Sequence, residues 1–371
     1  MLSTSNWYAL QDADKIDTPA LLVYPDRVEQ NILAAIAMTG TPDRLRPHIK
    51  THKTKEVTAL LMKHGVNQFK CATIAEAELL GMSGAKDVLL AYQPLGPKLD
   101  RFIALMQYYK DTVYACLTDN ITAATTMAKN ATEHKIVIPV YIDLNIGMNR
   151  TGIAPESALE LIAFCLQQPS LKLIGLHAYD GHLRNPDPEK RKQECDEGFK
   201  RVTDLQAQIY QQYQLNLPII AGGSPSFPIH AKRNEVVCSP GTFVYWDYGY
   251  GNTFPEQPFV PAAIVMTRIV SLPAPGIICT DLGHKSIAAE NTIDKRVYFL
   301  NATDLVPVSQ SEEHLVLKTS SDHTYQPGDI LYGLPYHICP TCALYERAYA
   351  VENHQVSSEW MIIGRNRRIT F

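Results

Sequence analysis

Several things are missing from this 371-residue sequence, and each absence removes a class of protein. Its longest apolar runs, such as residues 136–142, fall far short of a membrane-spanning helix. Residues 1–13 lack a basic stretch followed by an apolar core, so no secretory signal is expected there. Polybasic tracts are absent and the formal net charge is only -4, so no membrane and no nucleic acid is expected as a partner. The eight cysteines are scattered, mostly in apolar segments, without the spacing of a disulfide framework. That pattern fits buried free thiols and a cytoplasmic location. Internal repeats and low-complexity tracts are absent as well.

What is present is an ordinary globular composition, 46% hydrophobic and 19% charged. The chain is longer than one core usually organises, so two domains are expected. Residues 20–24, 44–48, 68–72, 87–91, 113–117, 136–143, 173–177, 218–221 and 236–238 read as strands. Amphipathic stretches such as 26–39, 74–82, 97–108 and 187–212 separate them. Repeated βα units imply parallel strands with right-handed crossovers, and about eight of them imply a closed (β/α)8 TIM barrel over 17–254. An open dinucleotide-binding sheet is disfavoured, because no Gly-rich fingerprint follows the first strand. Beyond residue 254, prolines and short strands predict a β domain over 255–371, joined by residues 1–16.

Five clusters carry chemistry. In Arg46-Pro47-His48-Ile49-Lys50-Thr51-His52-Lys53, strand alternation puts His48 and Lys50 on one face. A lysine at the C-terminal end of a barrel strand sits where such folds work, and neighbouring cations favour the neutral amine that a Schiff base needs. Alone, the stretch reads more readily as a surface turn. Arg150, in the loop after the strand at 136–143, suits an anionic oxygen or plain solvent equally well. His177, Tyr179 and His182 follow another strand and suit acid–base work, or simple packing. Gly222-Gly223-Ser224, and Gly241-Thr242 one unit later, suit a phosphate. His337 and Cys339, taken as strand residues, point the same way, as two ligands of one borderline-soft metal should. Buried cysteines beside a core histidine remain the simpler alternative there.

Together these segments resemble the D-threonine aldolase and D-serine dehydratase family, whose N-terminal domain is similar to that of alanine racemase. The likeness runs from Asp17-Thr18-Pro19-Ala20 to at least Thr341, with the clusters in family order. Its most specific pieces are the Arg46–Lys53 stretch, Gly147-Met148-Asn149-Arg150-Thr151-Gly152 and His337-Ile338-Cys339-Pro340. The resemblance implies a pyridoxal 5'-phosphate (PLP) barrel of fold type III followed by a β domain, usually as a homodimer. It assigns Lys50 to the Schiff base, with His48 beside it, and Arg150 to the phenolic oxygen. Gly222, Gly223, Ser224, Gly241 and Thr242 then hold the phosphate, and His337 and Cys339 a divalent metal: zinc first, manganese or magnesium next.

Ser239-Pro240-Gly241 stands where alanine racemases carry Arg-Pro-Gly, which counts against a racemase and leaves Tyr179 as the candidate partner of the pyridine nitrogen. A metal pair also suits chemistry at a β-hydroxyl better than racemisation. The implied substrate is a D-3-hydroxy amino acid. Retro-aldol cleavage, with His182 or His177 as base, gives glycine and an aldehyde. Dehydration, with Lys50 taking the Cα proton, gives a keto acid and ammonia. Cys339 leans toward the dehydratases, which show His-x-Cys, whereas residues 148–152 look closer to the aldolases. A non-catalytic PLP-binding protein would need no β domain and no metal pair.

Overall fold

The computed structural model describes residues 6–371, and the chain forms two compact units that interleave along the sequence. One comprises residues 33–50, 58–241 and 366–371; the other comprises 51–57, 242–365 and the chain up to residue 32. The linear division expected from the sequence, 17–254 against 255–371 with 1–16, differs from this, and residues 1–5 lie outside the described residues. The difference begins at β1 (Ala20–Val23), read as a barrel strand. It pairs instead antiparallel with Ala263–Ala274 and parallel with Arg347–Glu352. All four of its side chains are buried, so no alternation was available to tell one sheet from the other. Helix α1 (Pro25–Thr39) follows, with Pro25 at its first position and Val28, Ile32 and Ala35 buried at helical spacing.

The other unit holds the parallel sheet. Helix α2 (Lys55–Lys63) precedes β2 (Gln68–Cys71), and β3 (Asp87–Leu90), β4 (Val113–Thr118), β5 (Ile138–Leu144), β6 (Leu171–Ala178), β7 (Ile219–Ala221) and β8 (Val236–Cys238) follow in spatial order. Helices α3 (Ile74–Met82), α4 (Pro97–Tyr108), α5 (Ile121–Glu133), α6 (Ala158–Gln167) and α7 (Pro188–Tyr213) make the crossovers. Their starts are written locally: Thr73 and Asn120 accept backbone N–H groups of α3 and α5, and Asp187 does so for α7 ahead of Pro188. The expected strand at 44–48 is irregular. Leu45 bridges Cys238 on one side and His48 bridges Lys70 on the other, which closes the ring. Pro47 has no N–H to give, but its carbonyl accepts from Lys70 N. Arg46 braces this seam, its guanidinium on Asp87 and Gln68. Leu89, Ala115, Leu117, Tyr141 and Ile220 pack into one apolar cluster of the sheet.

In the mixed-sheet unit, β9 (Ala263–Ala274), β10 (Ile277–Thr280), β11 (Val297–Phe299), β12 (Val306–Gln310), β13 (Leu315–Lys318), β14 (Ile330–Pro335), β15 (Arg347–Glu352) and β16 (Gln355–Met361) surround β1. Leu22, Ile264, Met266, Leu334 and Val351 lie in its core. Of residues 337–339, expected to be extended, only His337 is; Ile338 and Cys339 are helical. His337 caps a helix, here α10 once α8 (Phe227–His230) and α9 (Tyr248–Thr253) are counted, which runs Ile338–Leu344. Pro340 sits in its first turn, where a missing N–H costs nothing, and Asp247 Oδ2 accepts from Ile338 N. Among the described residues no helix is long and apolar enough to cross a membrane, and all eight cysteines are free.

Candidate active site

A cavity of about 540 Å³ opens among the C-terminal ends of the barrel strands. His48, Lys50, Lys70, Asp143, Arg150, His177 and Tyr179 line it. The geometry follows from strand period: on β2, Phe69 and Cys71 pack at 0% exposure, so Lys70 between them takes the opposite face. His48 Nδ1 accepts from the backbone N of Lys50, in the turn after the seam. Around Tyr179 stand Lys50 Nζ at 5.8 Å, Lys70 Nζ at 5.4 Å and the Arg150 guanidinium at 5.2 Å from the ring centroid.

Two buried residues, Asp143 and His177, face each other from β5 and β6, with Oδ1 and Nδ1 2.7 Å apart. Burial holds His177 below the ordinary imidazole value against the pull of Asp143. For Asp143, burial acts upward, but hydrogen bonds from His177 and Thr151 hold the carboxyl below its usual range. The pair is therefore a carboxylate and a neutral imidazole. The carboxylate can only accept, so Nδ1 carries the proton and Nε2 the lone pair. Arg150 reaches the cavity because the loop after β5 doubles back. Asn145 N donates to Ile153 O, Ile153 N to Asp143 O, and Gly152 N to Asp119 Oδ2.

Not every expected residue lies here. His182 is exposed and outside the cavity lining, with its ring against Gly147. The Gly222 N–H is spent on Ala178 O and that of Gly223 on Ser226 Oγ. These two glycines thus contribute room rather than donors: a Cβ on Gly223 would sit 3.0 Å from the Tyr179 ring. Ser224 is buried beside them, and Gly241 closes this stretch of the unit. Behind the loop runs a chain that the sequence reading missed. Arg233 donates to His230 Nδ1 at 2.6 Å, His230 Nε2 to Asp180 Oδ2 at 2.8 Å, and Ser226 Oγ to Asp180 Oδ1 at 2.6 Å. With Cys195, Asp180 and His230 form a group of metal-ligand type, but their ligand atoms are already engaged with one another and with Ser226. Ser239, in place of the racemase arginine, gives its hydroxyl to Arg46 O in the seam.

In the mixed-sheet unit, His337 Nδ1 meets Glu290 Oε1. Cys339 Sγ lies 3.1 Å from Thr51 Oγ1 and 3.4 Å from Thr242 Oγ1. Thr242, expected at a phosphate, thus has its hydroxyl beside this sulfur. Burial pulls the His337 imidazole down, but Cys339, Asp247 and Glu290 outweigh it and lift it to about 9. A carboxylate on Nδ1 leaves Nε2 for a metal, and an imidazole with a thiolate is a donor set that zinc favours. The residues fit a divalent ion, although α10 rather than a strand presents them.

Residues 23–249 match the model of the alanine racemase N-terminal domain, well over half the chain. The chain belongs to that family. Residues 262–351 match a second model, “Putative serine dehydratase domain”, and the combination is that of the D-threonine aldolase and D-serine dehydratase family, PLP-dependent lyases of fold type III. Relatives of the racemase-type family include a 3-hydroxy-D-aspartate aldolase of Paracoccus denitrificans, 25% identical over 96% of this chain and 94% of that one. A D-threonine aldolase of Arthrobacter is 23% identical over 95% and 93%. The crystal structure of D-threonine aldolase from Filomicrobium marinum, 24% identical, superposes with a TM-score of 0.88 over 96% of this chain and 97% of that one, which shows the same fold. A racemase-type barrel holds PLP through a lysine, and the cavity suits it: two lysine amines and a guanidinium face a space that a buried carboxylate–imidazole pair closes on one side.

Proposed function

We propose that this protein is a PLP-dependent lyase that cleaves D-3-hydroxy amino acids by retro-aldol reaction to glycine and an aldehyde. The observation that carries the reading is the neutral, Asp143-held His177 in a cavity that also contains Lys50. Lys50 would hold the cofactor, and Arg150 would face its phenolic oxygen. PLP, when bound, supplies an electron sink for the pair left on Cα. Nε2 of His177 is the basic atom that removes the β-hydroxyl proton, and Asp143 keeps the ring in the tautomer for it. His182, exposed outside the lining, is the weaker candidate base. A divalent ion on His337 and Cys339 would supply Lewis-acid chemistry of the kind that a β-hydroxyl calls for.

One observation favours a second reading: Cys339, a thiolate-forming partner for His337, is the ligand type expected of D-serine dehydratases. In that reaction Lys50 removes the Cα proton, hydroxide leaves, and D-serine yields pyruvate and ammonia. Product analysis separates the two. With D-threonine, D-serine and D-3-hydroxyaspartate, the aldolase reading expects glycine plus the matching aldehyde and no ammonia. Ammonia with a keto acid establishes dehydration, and an L-amino acid establishes racemisation. Lys50→Ala should abolish the visible absorbance of lysine-bound PLP while the far-UV spectrum stays native; a wild type that stays colourless with excess PLP refutes both readings.

A further inference from the structure

Lys70 is the group in the cavity that none of these roles uses. It is 2% exposed and lines the cavity, with its Nζ 5.4 Å from the centre of the Tyr179 ring. The nearby carboxylates are engaged elsewhere: Asp143 by His177, and Asp180 by His230 and Ser226. Three basic side chains, Lys50, Lys70 and Arg150, therefore surround Tyr179, and the carboxylates nearest Lys70 already have other hydrogen-bond partners. On the reading above, Lys50 is taken by the cofactor carbonyl and Arg150 by the phenolic oxygen. An anion beside a buried cation is favourable, and the remaining anion of an amino-acid substrate is a carboxylate.

We propose that Lys70 is the seat of a substrate carboxylate and that the carboxylate binds there together with a proton. The inference rests on the cavity being the amino-acid site. Burial, and then Lys50, bring the Lys70 amine down to about 7, with Arg46 adding to the effect and Asp180 and Asp143 opposing it. His177 beside it is neutral, and Tyr179 presents its ring. Burial, the largest cause, persists when the cofactor takes Lys50, so the empty seat stays below the ordinary lysine value and an arriving carboxylate draws a proton onto it. Affinity for the anion is flat below the lowered value of this amine and declines above it.

The test uses the PLP-loaded protein and two carboxylates that lack an amine and cannot react with the cofactor, D-lactate and D-malate. Calorimetry at pH 8 in buffers of different ionisation enthalpy counts the protons taken up. Wild type should take up a substantial fraction of a proton per site. Lys70→Arg, always charged, should bind within a few-fold of wild type with no uptake. Lys70→Met should bind at least about tenfold more weakly, also without uptake. Equal losses for lactate and malate place the α-carboxylate at Lys70; a loss confined to malate places a side-chain carboxylate there. Absence of binding by wild type, or uptake unchanged in Lys70→Arg, overturns the proposal. Cleavage activity without this proton coupling leaves the lyase reading standing and removes only the seat; proton-coupled binding without cleavage does the reverse.

Discussion

Single residues divide sharply by whether their neighbours in sequence reveal their environment. His48, Lys50, Arg150, His177 and Tyr179 were legible as cavity residues, because each lies at or beyond the C-terminal end of a strand or of the seam, where barrel folds place chemistry, and all five line the cavity. Lys70 was not legible, since a lysine in a strand ordinarily means solvent. The signal was present: Phe69 and Cys71 flank it, so its side chain points to the face opposite theirs, at the C-terminal end of β2. Asp143 was equally silent, because its partner His177 is 34 residues away and only the adjacency of β5 and β6 joins them. That pairing makes a prediction. Asp143→Asn keeps the shape but replaces a pure acceptor by a group that can donate, so the imidazole tautomer is no longer fixed. It should lower kcat for retro-aldol cleavage by about 10²–10⁴-fold, the scale of general-base assistance. KM should change little, and the PLP spectrum should be retained. Initial rates across D-threonine concentrations check this, and an unchanged kcat removes His177 as the base.

At the level of elements, regular helices were legible almost to the residue, as α3, capped by Thr73, and α4, opened by Pro97, illustrate. Failures came where tertiary pairing decides. The fully buried β1 carries no face preference. Residues 44–48 close the barrel through bridges rather than a ladder. Strands β12 and β16 show mostly exposed side chains and so lack the apolar alternation that marks a strand. Cys339 lies on α10 rather than on a strand, and Pro340 in the first turn of that helix was the sequence signal for it. The loop after β5 is the element most open to test. Gly152 has φ +99°, and a Cβ there would lie 2.6 Å from Asn145 N and 2.7 Å from Leu144 C, both backbone atoms that cannot yield. Gly152→Ala should therefore destabilise the protein by about 1–3 kcal/mol and loosen Arg150. Denaturant unfolding gives the first quantity and PLP affinity, expected to fall, the second. If both match wild type, the doubled-back loop does not position Arg150.

Over the whole molecule, the cavity that suits catalysis is a cost to folding, and Lys70 lets that cost be measured. Its folded value, about 7, lies below the 10.5 of an unperturbed lysine. Between those limits the unfolded chain binds more protons than the folded one, so this residue makes stability rise with pH from about 7 toward 10.5. Below pH 7 its full penalty is present. Replacing it with methionine, close in volume and uncharged, removes the penalty and adds buried apolar surface. Lys70→Met should accordingly raise the Tm of the PLP-free protein most at pH 6, and the gain should shrink steadily as pH climbs. A gain in stability at the same position where carboxylate binding is lost would be the exchange of stability for function expected of a site with a buried charge. Thermal unfolding of wild type and variant across this pH range decides it: a Tm difference that is independent of pH would mean that Lys70 is not held in a lowered state and that its neighbours already neutralise it.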